Sequence, residues 1–299
     1  MKIFAALGAL VFGACAVDPD ATSTGTVEQF LTSAAPTSSY GAVAFIRNED
    51  SNTSCSGVLI SDRTVLTAGH CLNRSIHDTT INYAPVSSID VYFAADMTTL
   101  TGKRRYDAAA RIIHSGFGGG ATNDLGIIRL TESVAGVAPI AVLSQQPAVG
   151  DMLTVLGYGV GTNFGRRQVG HNLINTIIGR VFGFEPADGT SACAGDSGGP
   201  SLVERGGQQY VAGIHSSGTC GDSTSYDMRT DFYVAWIRDN AYRSDGDSGG
   251  TGGGTVDVDV GDSGGCSAGG GEPRALGVIA LGLAGVLMRR RRRPRMHCM

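Results

Sequence analysis

At 299 residues, with 17% charged and 7% aromatic residues and 45 glycines, the chain has room for one large or two modest domains and the composition of a loop-rich β protein. The formal net charge of −4 conceals a split, because residues 275–299 hold six Arg and no acidic residue, leaving −10 on the remainder. A body of that charge excludes electrostatically driven nucleic-acid binding.

Lys2 and the apolar run Ile3 to Ala14 read as an export signal over residues 1–16. Two processing readings stand side by side. Ala14-Cys15-Ala16 fits an A-x-A cleavage site, whereas Phe12-Gly13-Ala14-Cys15 resembles a bacterial lipoprotein box in which Cys15 carries lipid. Residues 17–39, rich in Ser, Thr and Ala, read as a propeptide or loose arm. From Ala42 onward short β-like runs follow closely: Val43 to Ile46, Gly57 to Ile60, Val91 to Phe93, Ala110 to Ile113, Leu125 to Leu130, Met152 to Leu156, Ile177 to Phe182 and Tyr210 to Ile214. Many short strands with Gly-rich turns predict a sandwich or barrel. The period then changes: Phe232, Tyr233, Trp236 and Ile237 form one face of a helix over Asp231 to Asn240, with Asp231 as its N-cap.

Residues 243–265 form a Gly/Ser/Asp-rich linker, and residues 266–299 a distinct C-terminal segment. Within it Cys266 precedes the apolar stretch Ala275 to Met288 and the cluster Arg289 to Arg293. Those fourteen apolar residues, as a helix, span about 21 Å against a hydrocarbon core of about 30 Å. A permanent anchor is therefore marginal. The Gly-Cys, apolar and Arg order resembles the C-terminal sorting tails of myxobacterial proteins; a simple tail anchor with its positive residues left inside is the alternative.

The string Gly-Asp-Ser-Gly-Gly occurs at Gly195 to Gly199, Gly246 to Gly250 and Gly261 to Gly265. The last two copies sit in a tract where composition alone produces them. The first is set in Cys193-Ala194-Gly195-Asp196-Ser197-Gly198-Gly199-Pro200, downstream of Leu66-Thr67-Ala68-Gly69-His70-Cys71 and Asn123-Asp124-Leu125-Gly126-Ile127-Ile128. In order and wording these segments resemble the chymotrypsin/trypsin-like serine proteases over residues 40–242. The resemblance implies an all-β fold of two packed six-stranded antiparallel β-barrels with a C-terminal helix. It implies a catalytic triad of His70, Asp124 and Ser197, in which the imidazole takes the serine proton and the aspartate fixes its tautomer. Asp90 and Asp107 are rivals to Asp124, which is preferred because it directly precedes the apolar run Leu125 to Leu130.

The same resemblance places an oxyanion hole at the backbone N–H groups of Gly195 and Ser197, and implies the disulfides Cys55–Cys71 and Cys193–Cys220. The first closes the histidine loop and contributes about 3 kcal/mol. Cys15, Cys266 and Cys298 lie outside the protease-like region, and disulfides accord with export to an oxidising compartment. Relatives are cut before a characteristic apolar-Gly-Gly sequence, and the new amine pairs with the aspartate preceding the nucleophile, here Asp196. No such activation sequence is present; Val27 stands near the right distance, or Asp196 is satisfied internally.

The specificity pocket falls to Ser191, Ala192, His215, Ser216 and Gly218. A neutral Ser191 at its base argues against Arg/Lys preference and ranks apolar side chains first. His215, just before Ser216, offers an acid-receiving reading second. Entry of Asp222 or Asp227 into the pocket, restoring basic preference, ranks third. Gly157-Tyr158-Gly159 resembles the family's Gly-Trp-Gly turn and reads as structural. His114, in Ile112-Ile113-His114-Ser115, resembles a common structural segment of the family before the aspartate loop; His77, His171 and His297 carry no partner signal, and no metal-ligand spacing is apparent. The expectation is thus an exported, secreted or surface-attached monomeric serine endopeptidase. It acts on proteins or peptides, without metal or cofactor and without nucleic acid, and its membrane association is transient or tail-mediated. A non-catalytic surface binding module of the same fold is the alternative.

Overall fold

The computed structural model describes residues 34–160, 163–186, 189–218, 220–221, 223–241 and 258–259. The expectations for the export signal, His297, Asp222, Cys15, Cys266 and the basic tail fall outside these residues.

The first half is a closed six-stranded barrel. Its strands are β2 (Val43–Asn48), β3 (Thr53–Ser61), β4 (Thr64–Thr67), β5 (Ile89–Tyr92), β6 (Tyr106–Ile113) and β7 (Gly126–Leu130), closed in the order β2-β3-β4-β7-β6-β5, after a short β1 (Ala35–Pro36). Every pairing around it is antiparallel. Val43, Ile46, Val58, Leu59, Val65, Leu66, Ile127 and Ile128 are wholly buried, on both faces of the barrel wall. Each buried aliphatic side chain of this kind contributes about 1.5–3 kcal/mol.

The second half contains β8 (Val142–Leu143), β9 (Met152–Gly157), β10 (Gln168–Leu173), β11 (Thr176–Ile178), β12 (Val181–Phe184), β13 (Pro200–Arg205), β14 (Gln208–Ser217) and β15 (Ser225–Arg229). They run in the order β1-β10-β9-β13-β14-β15-β12-β11, with β8 alongside β14. Together with β1 and the two-residue β16 (Val258–Asp259) they make a ten-stranded half-barrel sheet, in keeping with the expected fold of two barrels and a C-terminal helix. Leu153, Val155, Phe182, Phe184, Val203 and Ala212 form its own core, while Leu156, Leu202, Ile214 and Met228 join a continuous core with the first barrel.

Three local expectations are corrected. Ile177 to Phe182 is a hairpin, β11 and β12, because Gly179 and Arg180 turn the chain. The helix α1 spans Thr230–Asn240 with Arg229, not Asp231, at its N-cap; Asp231 lies in the first turn and binds the Arg229 guanidinium. Its inward face is Tyr233 and Ile237, with Trp236 partly covered, whereas Phe232 is 56% exposed. Within the expected linker, β16 (Val258–Asp259) pairs in parallel with β8, in keeping with the Val-Asp alternation from Val256 to Val260.

Candidate active site

The two halves bring three loops together. His70 opens a short turn directly after β4, and its loop is pinned by the Cys55–Cys71 disulfide onto β3. Asp124 stands two residues before β7, which pairs with β4, so strand register fixes its distance from His70. Asn123 reaches φ +48°, a conformation that asparagine tolerates better than most residues. Its side chain is fully engaged: Nδ2 donates to the Gly116 carbonyl, and Oδ1 accepts from Arg180 and from the Tyr233 hydroxyl, each at 2.7 Å. Burial pushes the Tyr233 phenol up to about 12, which keeps it a donor.

Asp124 is 1% exposed and saturated with donors. Oδ1 accepts the His70 backbone N–H at 2.9 Å; Oδ2 accepts from His70 Nδ1 and from Ser216 Oγ, both at 2.7 Å. Burial works against protonating His70, but the Asp124 charge and its hydrogen bond together overcome it and raise the imidazole above its ordinary range. The rivals are occupied elsewhere: Asp90 and Asp107 face each other across β5 and β6 and share Arg105.

Ser197 sits on the loop before β13. Its carbonyl accepts the Ser56 N–H at 2.8 Å, and Ser56 Oγ donates to the Gly195 carbonyl at 2.8 Å, so β3 grips the loop on both sides of Asp196. Gly195 has φ +91°, where a side chain would be strained. Among the described residues the N–H groups of Gly195 and Ser197 donate to nothing, and Ser197 Oγ has no hydrogen bond. The structure therefore couples Asp124 to His70 but leaves the Ser197 hydroxyl unbonded.

Asp196 is wholly buried; Oδ1 accepts from Gly159 N–H at 2.7 Å and Oδ2 from Cys193 N–H at 3.0 Å. Gly157 and Gly159 form its cradle, since a Cβ on either would lie 2.1 or 2.2 Å from its carboxylate. Tyr158 between them is buried, its hydroxyl 2.7 Å from the Ala94 carbonyl and 3.1 Å from that of Val43, which fastens the second half to the first.

Cys193 and Cys220 are bonded. A cleft beside Ser197 is lined by Ala192, Cys193, Ala194, His215, Ser216, Ser217 and Gly218. Ser191 does not line it: buried behind, it accepts the Gly221 N–H at 2.9 Å. His215 is tied through Nδ1 to Asp227 Oδ1 at 2.8 Å, with both side chains buried. His114 is structural, meeting the Tyr233 ring edge-on at 5.3 Å and the Trp236 ring at a tilt at 5.1 Å between centroids. Cys55, His70 and Cys71 bring three donor atoms within 4.8 Å, but both sulfurs are committed to the disulfide.

Asp227 and Ser56 are the residues whose part at the site was not read from the sequence. Period-2 spacing would have placed Asp227 on the inward face of β15, and Ser56 follows the disulfide cysteine directly.

A protein-family model described as Trypsin matches residues 31–237. Chymotrypsin of Phaedon cochleariae is 29% identical over 211 residues, covering 62% of this chain and 71% of its own. The snake venom serine protease salmonase of Gloydius brevicauda is 25% identical over 209 residues (62% and 76%), and the beta-fibrinogenase brevinase of Gloydius blomhoffii 28% over 209 residues (62% and 84%).

Proposed function

Since the chain belongs to the trypsin family of serine proteases, we propose that it is an active endopeptidase that cleaves peptide bonds through Ser197, His70 and Asp124. The observation that carries this reading is the His70 Nδ1–Asp124 Oδ2 bond, which leaves Nε2 as the base beside a serine loop with two undirected N–H groups. The hydroxyl of Ser197 turns onto Nε2 and gives up its proton as Oγ attacks the substrate carbonyl. The oxyanion is received by the N–H groups of Gly195 and Ser197. His70 then protonates the leaving amine; water, activated by the same imidazole, releases the acyl group.

Apolar side chains are the proposed substrate preference, because Ala192, Ser217 and Gly218 offer no charge to the cleft. Acid preference is disfavoured: the imidazole of His215 is already engaged by Asp227, and a substrate carboxylate would add to the negative charge of Asp227 and Asp196. Asp227 faces His215 and not the cleft, which also disfavours basic preference. Two disulfides accord with an exported protein, held at the surface or released by its C-terminal segment. The unbonded Ser197 hydroxyl is the observation that favours the second reading, a binding module of the same fold.

Covalent labelling with a fluorophosphonate probe tests the proposal. Labelling at Ser197, lost in Ser197→Ala and kept in Ser248→Ala and Ser263→Ala, supports it. A wild-type chain that fails to label with or without N-terminal trimming overturns it in favour of the binding module.

A further inference from the structure

Asp196 is a carboxylate with no exposure, adjacent in sequence to the nucleophile, and its two backbone donors leave its charge uncompensated. Burying such a charge is costly unless an opposite charge lies close by. Among the described residues the cationic group whose charge acts on it is His215 on β14. The backbone of His215 is bonded in both directions to the residues following the nucleophile: its N–H donates to the Gly199 carbonyl at 2.9 Å, and its carbonyl accepts the Gly198 N–H at 2.8 Å. Behind it, on β15, Asp227 binds Nδ1 at 2.8 Å, with His215 at 2% and Asp227 at 0% exposure. The His215 ring makes no hydrogen bond to Asp196, its remaining polar neighbour being the Leu156 backbone, so what the ring supplies to Asp196 is charge rather than a bond.

A chain of hydrogen bonds thus connects Asp227 through His215 to the residue before Ser197: Asp227 binds the His215 ring, the His215 backbone binds Gly198 and Gly199, and the Gly199 N–H donates to the Asp196 carbonyl at 2.7 Å. We propose that the His215–Asp227 pair is the built-in counter-charge of Asp196, a positioning unit that holds the Cys193–Ser197 loop in its reactive shape without a free N-terminal amine. The proposal rests on the protease reading above.

The charges facing His215 are consistent with a ring that stays protonated. Burial opposes its protonation, but Asp227 by charge and hydrogen bond, and then Asp196, outweigh it and raise its pKa. The other neighbours bring no titratable group: β9 carries none along Met152–Gly157, β12 presents the Phe184 ring at 6.2 Å, and β13 contributes the buried hydroxyl of Ser201. Asp196 is itself pushed up to about 6 by burial, with the His215 charge pulling the other way. Loss of the His215 proton therefore leaves two buried carboxylates facing a neutral ring, and the loop relaxes.

The experiment is fluorophosphonate labelling of Ser197 in the full chain as a function of pH, before and after acetylation of its α-amine. The expected result is that acetylation changes the rate less than twofold. The rate falls on the alkaline side, and Asp227→Asn, which preserves shape, moves that fall at least one pH unit lower while sparing labelling below it. Labelling that requires a free amine overturns the proposal alone, as does an Asp227→Asn profile that coincides with wild type. A chain that labels under neither condition overturns the protease reading and this proposal with it.

Discussion

Ser216 Oγ and His70 Nδ1 bind the same oxygen of Asp124, each at 2.7 Å. Ser216 belongs to β14 in the second sheet, while Asp124 and His70 belong to the barrel, so the orientation of the base depends on the contact between the halves. A hydrogen bond to a charged group is worth about 1.5–3 kcal/mol, of which the lower end corresponds to about tenfold in rate. Ser216→Ala is expected to lower kcat/KM about tenfold on a peptide substrate and to lower the melting temperature by a few degrees. Wild-type kinetics in that variant would reduce Ser216 to a lining residue of the cleft.

The pH–rate profile should show the Asp124 charge directly. His70 acts as a base only when neutral, so activity rises as pH passes its raised pKa, above 6.5. In Asp124→Asn the charge that raises the pKa is gone while burial still lowers it, so the acid limb must shift to lower pH. The plateau should fall by up to about 10⁴, because the amide favours the wrong tautomer. A limb that stays in place would mean the pair does not govern the titration.

Substituting either cradle glycine tests how closely Asp196 is held. Gly157→Ala or Gly159→Ala places a methyl about 2 Å from a buried carboxylate with no free direction to move. Such overpacking costs typically about 1–3 kcal/mol. Both variants should lose Ser197 labelling more steeply than they lose stability, because the carboxylate adjoins the nucleophile. Gly41→Ala, where a Cβ meets nothing within 4 Å, is the control and should match wild type in both assays.

These relationships explain which parts were legible in advance. His70, Asp124, Asp196 and Ser197 sit in short contiguous strings whose residue types are dictated by local geometry, so one sequence displays them. The strand runs were visible where apolar residues face the core on both sides, as in Val58 and Leu59 of the run Gly57 to Ile60, whereas the four-residue β4 was not among them. Asp227 was named only as a residue that could enter the cleft; its bond to His215 was not legible because the two stand opposite each other across a ladder, 12 residues apart in sequence, which no local string records. For Ser191, counting back from Ser197 fixes position along the chain but not which way its buried hydroxyl turns, which is toward the Gly221 N–H. Phe232 was assigned to the core by helical period, although the helix buries only the stripe carrying Tyr233 and Ile237.

The buried charges also set a direction for stability against pH. Asp196 has its folded pKa raised from 3.8 to about 6, so between those values the native chain holds a proton that the unfolded chain has released. Stability therefore falls as pH rises through that window, and is flat above it as far as this group is concerned. His215, also raised, contributes stability that is complete below 6.5 and is lost as pH climbs through its folded value. Both groups act in the same sense: acidification from pH 8 to pH 5 should strengthen the fold through them. Asp196→Asn has no proton to exchange, so its melting temperature should lose the decline between about pH 4 and pH 6 while keeping the later one that belongs to His215. Thermal melts of the two proteins across pH 4 to 9 decide the matter. Parallel curves would show that Asp196 does not titrate in that window, and that backbone donors alone are enough to keep it charged.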